Sequence, residues 1–179
     1  MSKVAVVYWS GTGNTEMMAA QVAEGAKAAG AETEMFTASE FSAEQMDAFD
    51  AIAFGCPSMG AEQLEESEFE PMFTECEAKL QGKKIALFGS YGWGDGEWMR
   101  TWEDTCQEDG AILACESVIC NEAPDEEADA SCQALGKAFR ERIFYYFFHG
   151  LKAIGGHILS IHFIPYFTTN PFQLVPFTP

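Results

Sequence analysis

Positive charge is what this chain has least of. Ten Lys and Arg stand against 28 Asp and Glu in 179 residues, a formal net charge of −18. Proteins that grip nucleic acid do so with Lys and Arg on phosphates, so the composition argues against a nucleic-acid partner. An anionic membrane surface is disfavoured on the same ground. Paired cysteine motifs are also missing. The six cysteines, at 56, 76, 106, 115, 120 and 132, form no Cys-x-x-Cys pair, and no Cys/His group has zinc spacing, so no metal site is expected. Each reads as a small buried hydrophobe, kept reduced in a cytosol. A strand pattern begins directly after Met1, which leads to the expectation of no signal peptide and a cytoplasmic protein.

What is present is enough apolar side chain for a core, 47% of residues, in a length that suits one domain. Residues 3–9 (KVAVVYW), 50–55 (DAIAFG), 83–90 (KKIALFGS) and 111–119 (AILACESVI) are short apolar runs, and 32–37 alternates as an edge strand would. Between them lie helical stretches at about 15–29, 65–79, 97–109 and 126–140, with Gly30 as a stop and Pro124-Asp125 as a start. Strands alternating with helices imply an α/β fold, a parallel sheet with helices on both faces. Right-handed crossovers then gather the loops after the strands on one rim, where such sheets bind ligands.

Those loops carry the chemistry. After the first strand stands Ser10-Gly11-Thr12-Gly13-Asn14-Thr15. Its glycines let backbone N–H groups turn inward, its hydroxyls add donors, and a helix N-terminus follows. No Lys is present for a Walker loop, and the second half of the dinucleotide fingerprint is missing. A neutral nest of this kind suits a terminal monophosphate; the plainer alternative is a capped turn. After the third strand comes Cys56-Pro57-Ser58-Met59-Gly60-Ala61-Glu62, and after the fourth Ser90-Tyr91-Gly92-Trp93-Gly94-Asp95-Gly96. A Trp between glycines suits stacking on a planar ligand, with Met59 as a polarizable cover for its other face. Trp98 is expected to pack the following helix against the sheet.

Taken together, VVYWSGTGNTE at 6–16, GCPSMG at 55–60 with Glu62 behind it, LEESEFEP at 64–71, GKKIALFGSYGWGDGEWMR at 82–100, NEAPDE at 121–126 and the closing LGKAF resemble the short-chain flavodoxins of anaerobic bacteria. The resemblance covers residues 1–142. It implies the flavodoxin-like doubly wound sheet of five parallel strands, order 2-1-3-4-5, with a last strand not split by a long insertion. It implies flavin mononucleotide (FMN) as cofactor and one-electron transfer through a semiquinone as the job, with no catalytic side chain. By similarity Ser10, Thr12, Asn14 and Thr15, with the N–H groups from Gly11 through Gly13 to Thr15, would hold the phosphate. Trp93 and Met59 would sandwich the ring within the loops Pro57–Glu62 and Ser90–Gly94. The Gly60-Ala61 peptide would turn toward flavin N5, and Glu62 would accept the flavin N3–H. The Ser90, Tyr91 and Gly92 backbone, and Asn121, would line the pyrimidine and ribitol side. Ala61 departs from the Asp or Ser common in the family.

An acidic carrier of this kind would meet basic-patched redox proteins as a monomer. The enzymatic alternative is an FMN-dependent NAD(P)H:quinone or nitro-compound reductase of the same fold, which needs an open flavin face. A third class is a cofactor-free binding module.

From residue 143 the composition changes. All 28 acids lie at or before Glu141, where 8 basic residues leave a formal −20; beyond it stand only Arg142 and Lys152 among charges. Aromatics crowd in, and all three histidines (149, 157, 162) appear. The segment has no uninterrupted run of the roughly 18 to 20 apolar residues a membrane span needs. An interfacial segment, packing against the core or a second chain, and a non-functional extension from a shifted frame or lost stop codon stay open, the last being favoured. Residues 143–179 are thus expected to be separate from the 1–142 domain.

Overall fold

The computed structural model describes residues 1–140; the aromatic-rich extension lies outside the described residues. The strands are β1 (Lys3–Tyr8), β2 (Glu32–Thr37), β3 (Ala51–Gly55), β4 (Lys84–Tyr91), β5 (Ile112–Leu113) and β6 (Val118–Asn121). The helices are α1 (Asn14–Ala28), α2 (Phe69–Glu77), α3 (Glu97–Glu108) and α4 (Glu126–Ala138). All pairings are parallel and the order is β2-β1-β3-β4-β5, with β6 also against β4. This is the expected doubly wound sheet. The run at 111–119 differs in detail from the single strand expected. β5 pairs with the start of β4 at Lys84 and Ile85, and β6 with its end from Phe88 to Tyr91. Two short segments therefore share the fifth position, and the break between them is only four residues long.

Buried strands need cover on both faces, and the alternation along β1 shows how it is divided. Ala5 and Val7 face a cluster with Ile52, Phe54, Phe69, Phe73, Trp98 and Trp102, under α2 and α3. Val4 and Val6 face Met18, Val22, Ala53, Phe88, Leu135 and Phe139, under α1 and α4. α1 buries Thr15, Met18, Ala19, Val22, Ala23 and Ala26, a helical stripe, and Gly30 ends its turn at φ 89°. α1 and α4 approach backbone to backbone. A Cβ on Gly25 would lie 2.1 Å from Gln133 O, and one on Gly136 would lie 2.1 Å from Val22 O. Glycine is required at this crossing because no side chain fits between the helices.

Candidate functional site

The ends of β1, β3, β4 and β6 meet on one rim and open a cleft of about 490 Å³. Gly11, Thr12, Asn14, Pro57, Ser58, Met59, Ser90, Tyr91 and Gly92, all singled out from the sequence, line it. Trp9, Glu122 and Ala123 line it as well. The signal for Trp9 was available, an aromatic directly after β1 and just before the glycine loop. Its ring lies over Gly11, where a Cβ would come within 2.9 Å of Trp9 Cη2. Glu122 has no such signal: it enters because its backbone is left-handed (φ 58°) and its N–H bonds Tyr91 O at 2.8 Å.

The first loop is shaped from within. Gly13 takes φ 92° as the residue before α1, and its N–H donates to Ser10 Oγ at 3.0 Å. Helical bonding starts with Met17 N–H to Gly13 O. The N–H groups of Asn14, Thr15 and Glu16 have no acceptor among the described residues, and no side chain caps α1. Beneath them Thr15 and Ser90, both buried, share a hydroxyl hydrogen bond of 3.1 Å across the two loops. An uncapped helix N-terminus with hydroxyls beside it and no Lys or Arg on the cleft wall fits a buried phosphate monoester held by neutral donors. Nearby, the Tyr8 hydroxyl is pushed above its ordinary pKa by burial, then by the charge and hydrogen bond of Glu16 and the charge of Glu40.

The second loop closes on itself. Met59 and Gln63 exchange both backbone hydrogen bonds, at 2.8 and 2.9 Å, leaving Gly60, Ala61 and Glu62 as the tip. Gly60 (φ 51°) and Glu62 (φ 53°) are both left-handed; for glutamate this costs about 1–2 kcal/mol. Gly60 and Ala61 stand beside the cleft rather than in it. The Glu62 carboxylate turns to α3, where Oε1 accepts the N–H groups of Gly96 and Glu97 at 3.0 Å each. Ser58 N–H bonds Ser90 O at 2.9 Å and holds this loop to the next.

In the third loop Trp93 is 63% exposed and, with Gly94, stands outside the cleft wall. Trp98 is buried and donates its Nε1–H to Cys56 O at 3.3 Å, so it packs α3 against the sheet as expected. Asn121 Nδ2 donates to Tyr91 O at 3.1 Å, and the residue itself is not on the cleft wall. All six cysteines are free thiols. Burial pushes Cys76, Cys106 and Cys132 up to about 12 and Cys115 to about 11, and raises Cys56 and Cys120 as well. Among the described residues no cluster of His, Cys, Asp and Glu could hold a metal ion, and no helix is long and apolar enough to cross a membrane.

Known proteins agree with this geometry. The flavodoxin family model matches residues 6–135. A flavodoxin of Megasphaera elsdenii is 46% identical over 135 residues, spanning 75% of this chain and 96% of that protein. One from Clostridium beijerinckii is 45% identical over 132 residues, 74% of this chain and 95% of that protein. The solution structure of the two-electron reduced Megasphaera elsdenii flavodoxin superposes with a TM-score of 0.71, covering 76% of this chain and 98% of that one. Sheet order, rim loops and relatives converge, and the chain belongs to the flavodoxin family, as an FMN-binding electron-transfer protein and not an enzyme.

Proposed function

We propose that the chain works in the cytoplasm as a low-potential carrier that exchanges single electrons with basic-patched redox proteins, with FMN seated in the rim cleft. The observation that carries this reading is the meeting of an uncapped α1 N-terminus with the Met59 and Tyr91 loops around one cleft. When bound, FMN supplies two successive one-electron couples. The residues bind and tune. The N–H groups of Asn14 and Thr15 and the hydroxyls of Thr12 and Thr15 would hold the phosphate, while Ser10 fixes the turn through Gly13. Met59, on the cleft wall, would cover one face of the ring. Trp93, 63% exposed and flanked by Gly92 and Gly94, would stack on the other face. The Gly60-Ala61 peptide, free of a Cβ at Gly60, would be able to offer its carbonyl to flavin N5. The acidic surface and Glu62 disfavour a second negative charge, which lowers the second couple.

The test is FMN titration of the full chain followed by reductive titration. Expected are tight uptake with quenched flavin fluorescence and a second potential below that of free FMN. A folded protein that takes up no FMN would refute the reading.

A further inference from the structure

We propose that Glu62 is a latch that fastens the Met59–Gln63 loop to the start of α3 and so makes the two walls of the ring site one mechanical unit. The latch is a property of the chain alone; only its consequence for the cofactor rests on the FMN reading. Glu62 Oε1 takes the N–H of Gly96, which precedes α3, and that of Glu97, its first residue, at 3.0 Å each. The residue before α3 is Gly96, which has no side chain to cap with, and the neighbouring Asp95 is held by Arg100 through a 2.6 Å ion pair. The cap therefore comes from 34 residues upstream. It comes at the cost of a left-handed backbone at Glu62, and the carboxyl lies so close to Gly94 that a Cβ there would sit 2.4 Å from Cδ. Gly60 lies two residues from the latch on one side, and Trp93 lies three before Gly96 on the other. Movement of either loop is thus constrained by the other.

The two carboxylate oxygens divide the labour. Oε2 has no hydrogen bond among the described residues, so it is the oxygen left to receive the flavin N3–H while Oε1 keeps the loops together. Glu62 acts on the Trp93 loop as a positioning residue, in addition to its direct contact with the ring.

Backbone amide hydrogen exchange of the full chain without added FMN, followed by FMN titration, tests this with Glu62→Ala and Glu62→Gln. In Glu62→Ala the Gly96 and Glu97 amides are expected to exchange at least tenfold faster. Glu62→Gln should restore protection, because one amide oxygen can accept the same two N–H groups. It should still bind FMN at least tenfold more weakly than the parent, because its NH2 would face the flavin N–H. Should the alanine variant fail to fold, Glu62→Asn accepts the left-handed backbone but is too short to reach α3. Unchanged exchange at Gly96 and Glu97 in the alanine or asparagine variant overturns the latch, whatever happens to FMN. Lost protection that glutamine does not restore overturns the single-oxygen assignment. Full FMN affinity in Glu62→Gln overturns the role of Oε2. A parent chain with protected amides that ignores FMN overturns the proposed function and leaves the latch standing.

Discussion

At the scale of single residues, Gly60 and Trp93 separate two ways of tuning a flavin. A Cβ on Gly60 would meet nothing closer than Gln63 Oε1 at 3.9 Å, so space does not demand glycine there. Backbone conformation does: at φ 51° a β-branched residue is strongly disfavoured. Gly60→Val is therefore expected to leave FMN bound but to bring the two one-electron potentials closer, by the loss of a hydrogen bond of about 1 kcal/mol. Spectroelectrochemical titration checks it, and an unchanged separation would remove the peptide from the mechanism. The Trp93 ring is 63% exposed, and aromatic stacking on a flavin would be worth about 0.5–1.5 kcal/mol beyond the area it buries. Trp93→Ala is expected to weaken FMN roughly tenfold or more and to shift the second couple upward. Fluorescence titration and the same electrochemistry read both; parent-like values would place the stacking partner elsewhere.

At the scale of elements, caps and crossings decide stability. Glu65 is buried before α2, and its carboxylate accepts N–H groups from Ser67 at 2.9 Å, Glu68 at 2.8 Å and Phe69 at 2.9 Å. Burial alone would raise its pKa, but the bonds from Phe69, Glu68 and Ser67 outweigh it and the net shift is downward. A depressed carboxylate lends stability in full above its unfolded pKa of about 4.3 and loses it as pH falls through the folded value. Glu65→Ala is expected to cost about 1–2 kcal/mol at pH 7 and to flatten the acid limb of a denaturation series below about pH 4. Glu77 works the other way, its carboxyl raised by burial and by the charges of Asp109 and Glu70. Gly136→Ala tests the α1–α4 crossing. A Cβ 2.1 Å from a backbone oxygen must push two helices apart, at a cost of about 1–3 kcal/mol by urea denaturation.

Elements also show what could be read from the sequence and what could not. β1, β3 and β4 were legible because strands buried on both faces are nearly all apolar, and α1 because a helical apolar stripe follows the glycine loop. The break between β5 and β6 was not. The run AILACESVI is apolar enough to pass for one strand, and the break is visible only in the pairing, β5 against Lys84 and Ile85 and β6 against Phe88 to Tyr91. The two 3-10 turns at Ala38–Glu40 and Ala43–Ala48 carry a local sign, a capping box of Thr37 with Glu40 and of Ser42 with Gln45, but each is too short to show a helical apolar stripe. In the site, the loops were legible by glycine and hydroxyl content. The turn of Glu62 toward α3 was not, since contacts across 34 residues leave no local pattern.

At the scale of the whole molecule, the net charge of −18 sets two responses to salt of opposite benefit. Screening relieves self-repulsion, so the melting temperature is expected to rise with ionic strength. The same screening shortens the reach of the acidic surface, so association with a basic redox protein is expected to slow, by an order of magnitude or more between low and physiological salt. Stopped-flow electron transfer against salt measures it, and a salt-independent rate would mean that charge does not steer the encounter.

The extension gives the last test. The family model stops at residue 135, and 75% of this chain matches 96% of the Megasphaera elsdenii relative. Every acidic residue lies before Arg142, so a chain ending there changes its formal charge only by the loss of Lys152, from −18 to −19. The rim cleft and both core clusters also lie before that point. Truncation after Arg142 is therefore expected to leave FMN affinity and both potentials unchanged within error, as isothermal titration and electrochemistry would report. A shift in either would tie the aromatic segment to the flavin domain, and with it the hydrophobic side chains that domain would otherwise do without.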